Sequence, residues 1–311
     1  MTTTKISAIL TCYNDAPVFR RALMSVTEQT CKVDEIIIVD DCSNDSDELI
    51  KIINDFSEFN IQYFRNEINK NGAFSRNFGI EHSHGDYVAL LDGDDFWEIE
   101  HVEKNISFLH DHKCDFIYSN VFHLQKDGKV IKRKCTDISE LSNAFDILFY
   151  SPPQTNSFFF KKEIFPEVKF DESLRRHQDY QFLISCIGNQ NICIGYNDNY
   201  TTYYCESHRE PSSRVNFESV FKFWDMNRNK FSELLLNKFL ISQLHSSISI
   251  VGGGGVRNYF SNFSVLNSTS LSSKLYIKYI KYVNLNTFIS RKIEFIFYHL
   301  MYGRLRICKK D

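Results

Sequence analysis

The sequence has no uninterrupted apolar run near the roughly 18 residues that a membrane-spanning helix needs, and Met1 to Lys5 leads into a strand without a long apolar leader. A chain that stays in the cytoplasm is the expectation. Any C-x-x-C pair is missing too: nine cysteines, at positions 12, 31, 42, 114, 135, 186, 193, 205 and 308, are scattered, several within apolar segments. Reduced core thiols are therefore expected rather than disulfides or a zinc site. After the first apolar strand there is neither G-x-G-x-x-G nor G-x-x-x-x-G-K-[ST], which removes the main support for hydride transfer on a dinucleotide and for P-loop phosphoryl transfer. No recognised nucleic-acid motif is present, so no nucleic-acid partner is expected.

What is there is a soluble globular composition. An apolar fraction of 43% and a charged fraction of 24% exclude disorder, and 311 residues can hold a large α/β domain with an appendage. The net charge of −3 conceals an asymmetry. From Val256 to Asp311 ten basic side chains face only Glu294 and Asp311, so this segment is +8 and the first 255 residues −11. An acidic body with a basic tail concerns partners rather than fold.

Ile6 to Thr11 reads as a buried strand, and Asp34 to Val39 is too apolar on both faces for a surface strand, so it is a central parallel one. Helical spacing follows each, with Pro17 at a helix start and Phe19, Leu23 and Val26 on one stripe, then Asp47 to Phe56. Ile61 to Phe64 is a third strand, Gly72 to Ile80 opens a further helix, and Val88 to Leu91 is the next strand. Such alternation predicts a doubly wound, mostly parallel sheet, whose ligands bind beyond the carboxyl ends of the strands.

Three of those ends are polar or acidic: Thr11 to Asn14, Asp40, and Asp92-Gly93-Asp94-Asp95. Asp92 and Asp94, two residues apart on an extended segment, point to one side and can present oxygen to a hard divalent cation, Mn2+ or Mg2+, with Asp95 beside them. Such a cation shares its remaining positions with water and a substrate pyrophosphate. The plain alternative is a solvated Asp/Gly turn.

Five blocks in order resemble the inverting glycosyltransferases of family 2, which have the GT-A fold. They are Ile9-Leu10-Thr11-Cys12-Tyr13-Asn14, Ile38-Val39-Asp40-Asp41-Cys42-Ser43, Gly72 to Ile80 with Arg76, Leu90-Leu91-Asp92-Gly93-Asp94-Asp95, and Gln178-Asp179-Tyr180-Gln181-Phe182-Leu183. The match runs over about residues 5 to 210. It implies a GT-A catalytic domain over residues 1–214, with a donor-binding part to about residue 100 and an acceptor-side part after it. Residues 215–311 form a helical C-terminal region without a comparable match.

The resemblance gives the residues roles. A UDP-sugar donor would meet Asp40 at the uracil imide N–H, Tyr13 on the ring and Thr11 at its edge, with Asn14, Asp92 and Gly93 in the same donor-binding set. Arg76, the sole base of its block, suits the base or the diphosphate; a solvated helix arginine is the alternative. Asp40 has an alternative as a helix cap. Asp179 matches the family's catalytic acid residue and would take the proton of the attacking hydroxyl, so one displacement would invert the anomeric centre. Its alternative is compensation of a helix dipole. His208 lies near a family histidine that approaches the metal, although Cys205 and the altered spacing depart from the pattern; a surface histidine is the alternative. Gln154, Thr155 and Asn156 face the acceptor in the family or serve as turn residues, and Trp97 stacks on a sugar or fills core.

Beyond Val215 the spacing predicts helices, broken sharply at Gly252-Gly253-Gly254-Gly255. The mixed aromatic and basic segments that follow either lie on an anionic bilayer, a peripheral membrane contact, or cap the catalytic domain. The resulting expectation is a metal-dependent transfer from a nucleotide sugar to a saccharide acceptor of a bacterial O-antigen or capsule, carried on polyprenyl diphosphate, at the inner face of the cytoplasmic membrane. Two other classes remain: a nucleotidyltransferase acting on sugar phosphates, which should show a Gly-rich, basic loop after the first strand and does not, and a non-catalytic sugar-binding module.

Overall fold

The structure, a computed structural model, describes residues 4–206, 216–267, 271–283, 285 and 288–304. It divides into two compact units, Met1–His208 and Arg209–Asp311.

The first unit is built on one mixed sheet of nine strands. β1 (Ile6–Cys12) lies between β2 (Glu35–Asp40) and β4 (Tyr87–Asp92), with β3 (Ile61–Arg65) outside β2, all parallel. β1 and β2 are buried at every residue, because helices cover both faces of a parallel sheet. Beyond β4 the sheet turns antiparallel at β8 (Phe159–Lys161), which pairs with β6 (Phe116–Leu124). β6 carries β7 (Val130–Arg133) at one end and runs parallel to β9 (Ile194–Cys205), which ends the path with the two-residue β5 (Phe96–Trp97).

Local chemistry explains the helices. α1 (Ala16–Thr27) starts with proline in its first turn and buries Phe19, Ala22, Leu23 and Val26. α2 (Ser46–Asn54) has Asp47 and Glu48 in its first turn and Lys51 in its last, each complementing the helix dipole. α3 (Asn71–His82) lies so close to the sheet that a Cβ at Gly79 would collide with Ile9 Cγ2. Gly79→Val should therefore cost about 1–3 kcal/mol of stability by overpacking. A denaturation midpoint equal to that of the parent would contradict so close an approach. α4 (His101–His112) and α5 (Gln178–Gly188) complete the unit. The eight described cysteines are free thiols, five of them buried.

The second unit is helical: α6 (Phe217–Asn227), α7 (Glu233–Asn262), α8 (Leu271–Tyr282) and α9 (Phe288–Arg304). The break expected at Gly252 to Gly255 does not occur, since α7 runs through it. Each glycine costs a helix about 1 kcal/mol relative to alanine, which weakens the helix without forbidding it. Buried Ile241, Leu244 and Ile248 before the glycines and Val256 and Phe260 after them hold the helix on both sides. Among the described residues no helix is long and apolar enough to cross a membrane.

Candidate functional site

The strand order 3-2-1-4 reverses direction between β1 and β4, and at such a switch point the loops at the carboxyl ends part to leave a crevice. The parallel register sets Thr11 opposite Asp92 there. Thr11 Oγ1 donates to Asp92 Oδ1 at 3.1 Å, and Arg76 from α3 reaches the same oxygen at 2.5 Å. The arginine side chain is mostly buried, with its guanidinium carbon 5.5 Å from the Phe170 ring. Its other terminal nitrogen donates to Gln178 Oε1 at 3.3 Å, and Gln178 Nε2 donates to Asn71 Oδ1 and to the Leu174 carbonyl. One guanidinium thus joins the end of β4 to the first residue of α5, and the next residue of α5 is Asp179.

Asp179 is half-buried. Desolvation raises its pKa above the ordinary aspartate value, against the lowering effects of the Tyr180 N–H and the charges of Arg76 and Arg176. A carboxylate of raised pKa beside a cleft is suited to accept a proton. Asp92 Oδ2 takes no hydrogen bond among the described residues, and Asp92 and Asp94 are both partly exposed. Two such carboxylates fit a hard cation that draws its other ligands from water and a diphosphate. No group of three or more acidic, histidine or cysteine ligands is gathered among the described residues.

Asp95 does not join that pair. It is 1% exposed; Oδ1 accepts the Cys205 N–H at 2.6 Å, and Oδ2 accepts from Asn156 Nδ2. Burial, then the charges of Asp94 and Asp92, push its pKa well up. It ties the turn after β4 to the end of β9. His208 lies outside the described residues.

Asp40 is corrected as well. It is fully buried, accepting from the Ser43 N–H, Ser46 Oγ and Tyr63 OH. Burial pushes its pKa up, but those donors outweigh it and hold the carboxyl below the usual range. The last residue of a strand buried on both faces turns its side chain inward, so Asp40 shapes the β2–α2 loop and is closed to a nucleobase. Asn14 belongs to the same frame, with its N–H on Ser43 Oγ and its Oδ1 accepting the Asn44 N–H. Gly93 is buried, and a Cβ there would press on Cys12 and Phe19 at 3.0 Å. Tyr13 remains exposed at the rim.

On the acceptor side, Trp97 is core: its indole N–H donates to the Asn156 carbonyl and its ring stacks on His101. Asn156 is buried and accepts the Asp92 N–H, and Thr155 is buried beside it; only Gln154 stays partly exposed. The sequence reading gave no role to Gln178, Asn71, Asp41 or Arg21. Asp41 accepts from the N–H groups of Lys70 and Asn71 at the start of α3, and Arg21 donates to the Asp94 carbonyl. One signal for Gln178 was its place in the Gln178-Asp179 block. A separate concavity of about 560 Å3 runs along α1 and β5 and meets the mouth through Arg21.

Of the five non-glycine residues with left-handed backbone among the described residues, Lys113 ends α4, while Asn14, Cys42, Asn71 and His177, with φ of 56°, 65°, 75° and 63°, follow β1 and β2 or stand at the starts of α3 and α5. Non-glycine residues are held in this region when the surrounding structure over-determines them, as at ligand sites.

The family model described as Glycosyl transferase family 2 matches residues 7–171. The amylovoran biosynthesis glycosyltransferase AmsB of Erwinia amylovora is 33% identical over 188 residues, 57% of this chain and 62% of AmsB. In Escherichia coli, the UDP-Glc:alpha-D-GlcNAc-diphosphoundecaprenol beta-1,3-glucosyltransferase WfaP is 34% identical over 122 residues, 39% of this chain and 47% of WfaP. Both matches span less than two thirds of the relative's length. The crystal structure of S. aureus TarS 1-349 in complex with UDP-GlcNAc aligns with 96% of this chain and 91% of its own, with a TM-score of 0.64 and 16% identity. At that identity the likeness is one of fold.

Proposed function

The chain belongs to glycosyl transferase family 2, and from that membership we propose that it transfers a sugar from a UDP-sugar to a hydroxyl of a saccharide acceptor, with inversion. The single observation that carries this reading is the Arg76 guanidinium set between Asp92 and Gln178. It gives a diphosphate a cationic partner beside the Asp92 and Asp94 carboxylates and one residue from a candidate base. Asp92 and Asp94 would hold Mn2+ or Mg2+, which when bound neutralises charge on the departing diphosphate. Arg76 orients the diphosphate through paired N–H donors and exchanges part of its contact with Asp92 for it. Tyr13 lies at the rim for the base, Gln154 for the acceptor, and Asp179 removes the acceptor proton as the oxygen attacks the anomeric carbon.

AmsB is named for amylovoran biosynthesis and WfaP for action on a diphosphoundecaprenol-linked sugar. Those names support a polysaccharide pathway and a lipid-linked acceptor.

Incubation with a panel of UDP-sugars, Mn2+ and a lipid-linked saccharide, followed by mass spectrometry, tests the reading. One donor should be consumed with a matching gain in acceptor mass, and chelation should reduce turnover by about tenfold or more. Pyrophosphate release from a nucleoside triphosphate and a sugar phosphate would replace it with nucleotidyl transfer.

A further inference from the structure

Helices α8 and α9 sort their side chains unusually. Inward, Tyr276, Ile277 and Ile280 of α8 and Tyr298 of α9 are buried. Glu294, the sole carboxylate of the two helices, is also buried; it accepts from Tyr276 OH and pairs with His245 Nδ1 of α7 at 2.9 Å. The one carboxylate available to balance the outer face is therefore used inside.

Outward, the cations whose burial is described are on the surface: Lys274, Lys278 and Lys281 on α8, and Arg291 and Lys292 on α9. Among them stand large apolar groups. Leu275 and Tyr282 of α8 are 58% and 73% exposed, and Ile293, Phe295 and Ile296 of α9 are exposed to a similar degree. On α8 the exposed positions 274, 275, 278, 281 and 282 keep helical spacing, so they form one face.

A partner for these faces must take aliphatic and aromatic groups and supply negative charge at once. A second copy docked through the same two faces presents the same positive charge and repels. A nucleic acid satisfies the cations but gives Ile293 and Ile296 nothing to bury against. The boundary of an anionic bilayer supplies both, with phosphates at the surface and acyl chains just beneath.

We propose that the outward faces of α8 and α9 dock the protein on an anionic lipid surface, lying in its plane. The proposal rests on the functional reading for its purpose, the meeting with a lipid-linked acceptor, but its test uses no sugar transfer. The full chain is sedimented with vesicles of phosphatidylcholine alone or mixed with phosphatidylglycerol. Binding is expected to the mixed vesicles, to weaken with added salt, and to be about tenfold or more weaker without the anionic lipid. Phe295→Glu with Ile296→Glu, and separately Lys278→Glu with Lys281→Glu, should each lower affinity by about tenfold or more. Circular dichroism and UDP binding in solution should not change, since these positions are exposed and lie outside the first unit. Failure to bind mixed vesicles would overturn the proposal, as would variants that bind like the parent or a dimer in solution that the same variants dissociate. UDP binding by the parent stands apart, so loss of the transferase reading and loss of this one are separately visible.

Discussion

Asp179→Asn is expected to lower the transfer rate by a factor on the order of 10^2–10^4 while leaving UDP-sugar affinity within about twofold of the parent. Asparagine keeps the shape and the place at the start of α5, beside Gln178, but cannot accept the acceptor's proton. The contacts assigned to the donor come from Arg76 and Asp92, which the substitution leaves in place. The pH profile gives a second readout. Desolvation raises the pKa of Asp179, and its base form is lost as pH falls through that raised value. The acid limb of log kcat/KM should therefore lie above the ordinary aspartate range. In the variant that limb should vanish from whatever activity remains. Turnover near the parent value would remove Asp179 from the chemistry.

Arg76→Ala should weaken both binding and turnover, with kcat/KM falling by about 100-fold or more, since a hydrogen-bonded charge pair that is partly buried loses one member. Its guanidinium does three things at once: it balances Asp92, it holds Gln178 and so the start of α5, and it lowers the pKa of Asp179. Removing it leaves the first carboxylate without its partner, frees the helix end, and lets the base's pKa rise further. The acid limb should accordingly move to higher pH in this variant, an effect that loss of donor contact alone would not produce. Arg76→Lys should recover the charge effect on Asp179 but little of the affinity, because an ammonium cannot span Asp92 and Gln178 as the planar fork does. Parent-like kcat/KM in Arg76→Ala, measured under donor-limiting conditions, would contradict this assignment.

The parallel half of the sheet was legible because its strands carry their own signature. Ala8 to Leu10 and Ile36 to Val39 are apolar without alternation, as suits strands covered on both faces. The glycosyltransferase fold followed from the order of the blocks, and the family and fold comparisons agree with it. Pairings across the chain were not legible. Nothing local distinguishes Asp94 from Asp95; the difference is made by Asn156 and Cys205, 61 and 110 residues from Asp95. Asp40 and Asp41 are adjacent for the same reason hard to tell apart. One is claimed by Ser43, Ser46 and Tyr63, the other by Asn66 and the backbone at Lys70 and Asn71. The glycine run in α7 misled because local propensity was weighed without the buried residues that flank it.

These corrections narrow the proposed donor site. Of the residues first assigned to the donor, Thr11, Arg76 and Asp92 meet on one oxygen and Tyr13 stands at the rim, while Asp40, Asn14 and Gly93 build the frame that holds them. Asn156 and Trp97 form a buried brace beneath the acidic turn, bonded to each other and to Asp92 and Asp95. The crevice therefore has a braced floor.

A lone base acting in one displacement is the central claim, and the anomeric configuration of the first product reports on it directly. Proton NMR of the reaction, started from an α-linked UDP-sugar, should show the β-linked product from the earliest time point. An α-linked product would mean retention and a different mechanism, and the assignment of Asp179 would fall with it.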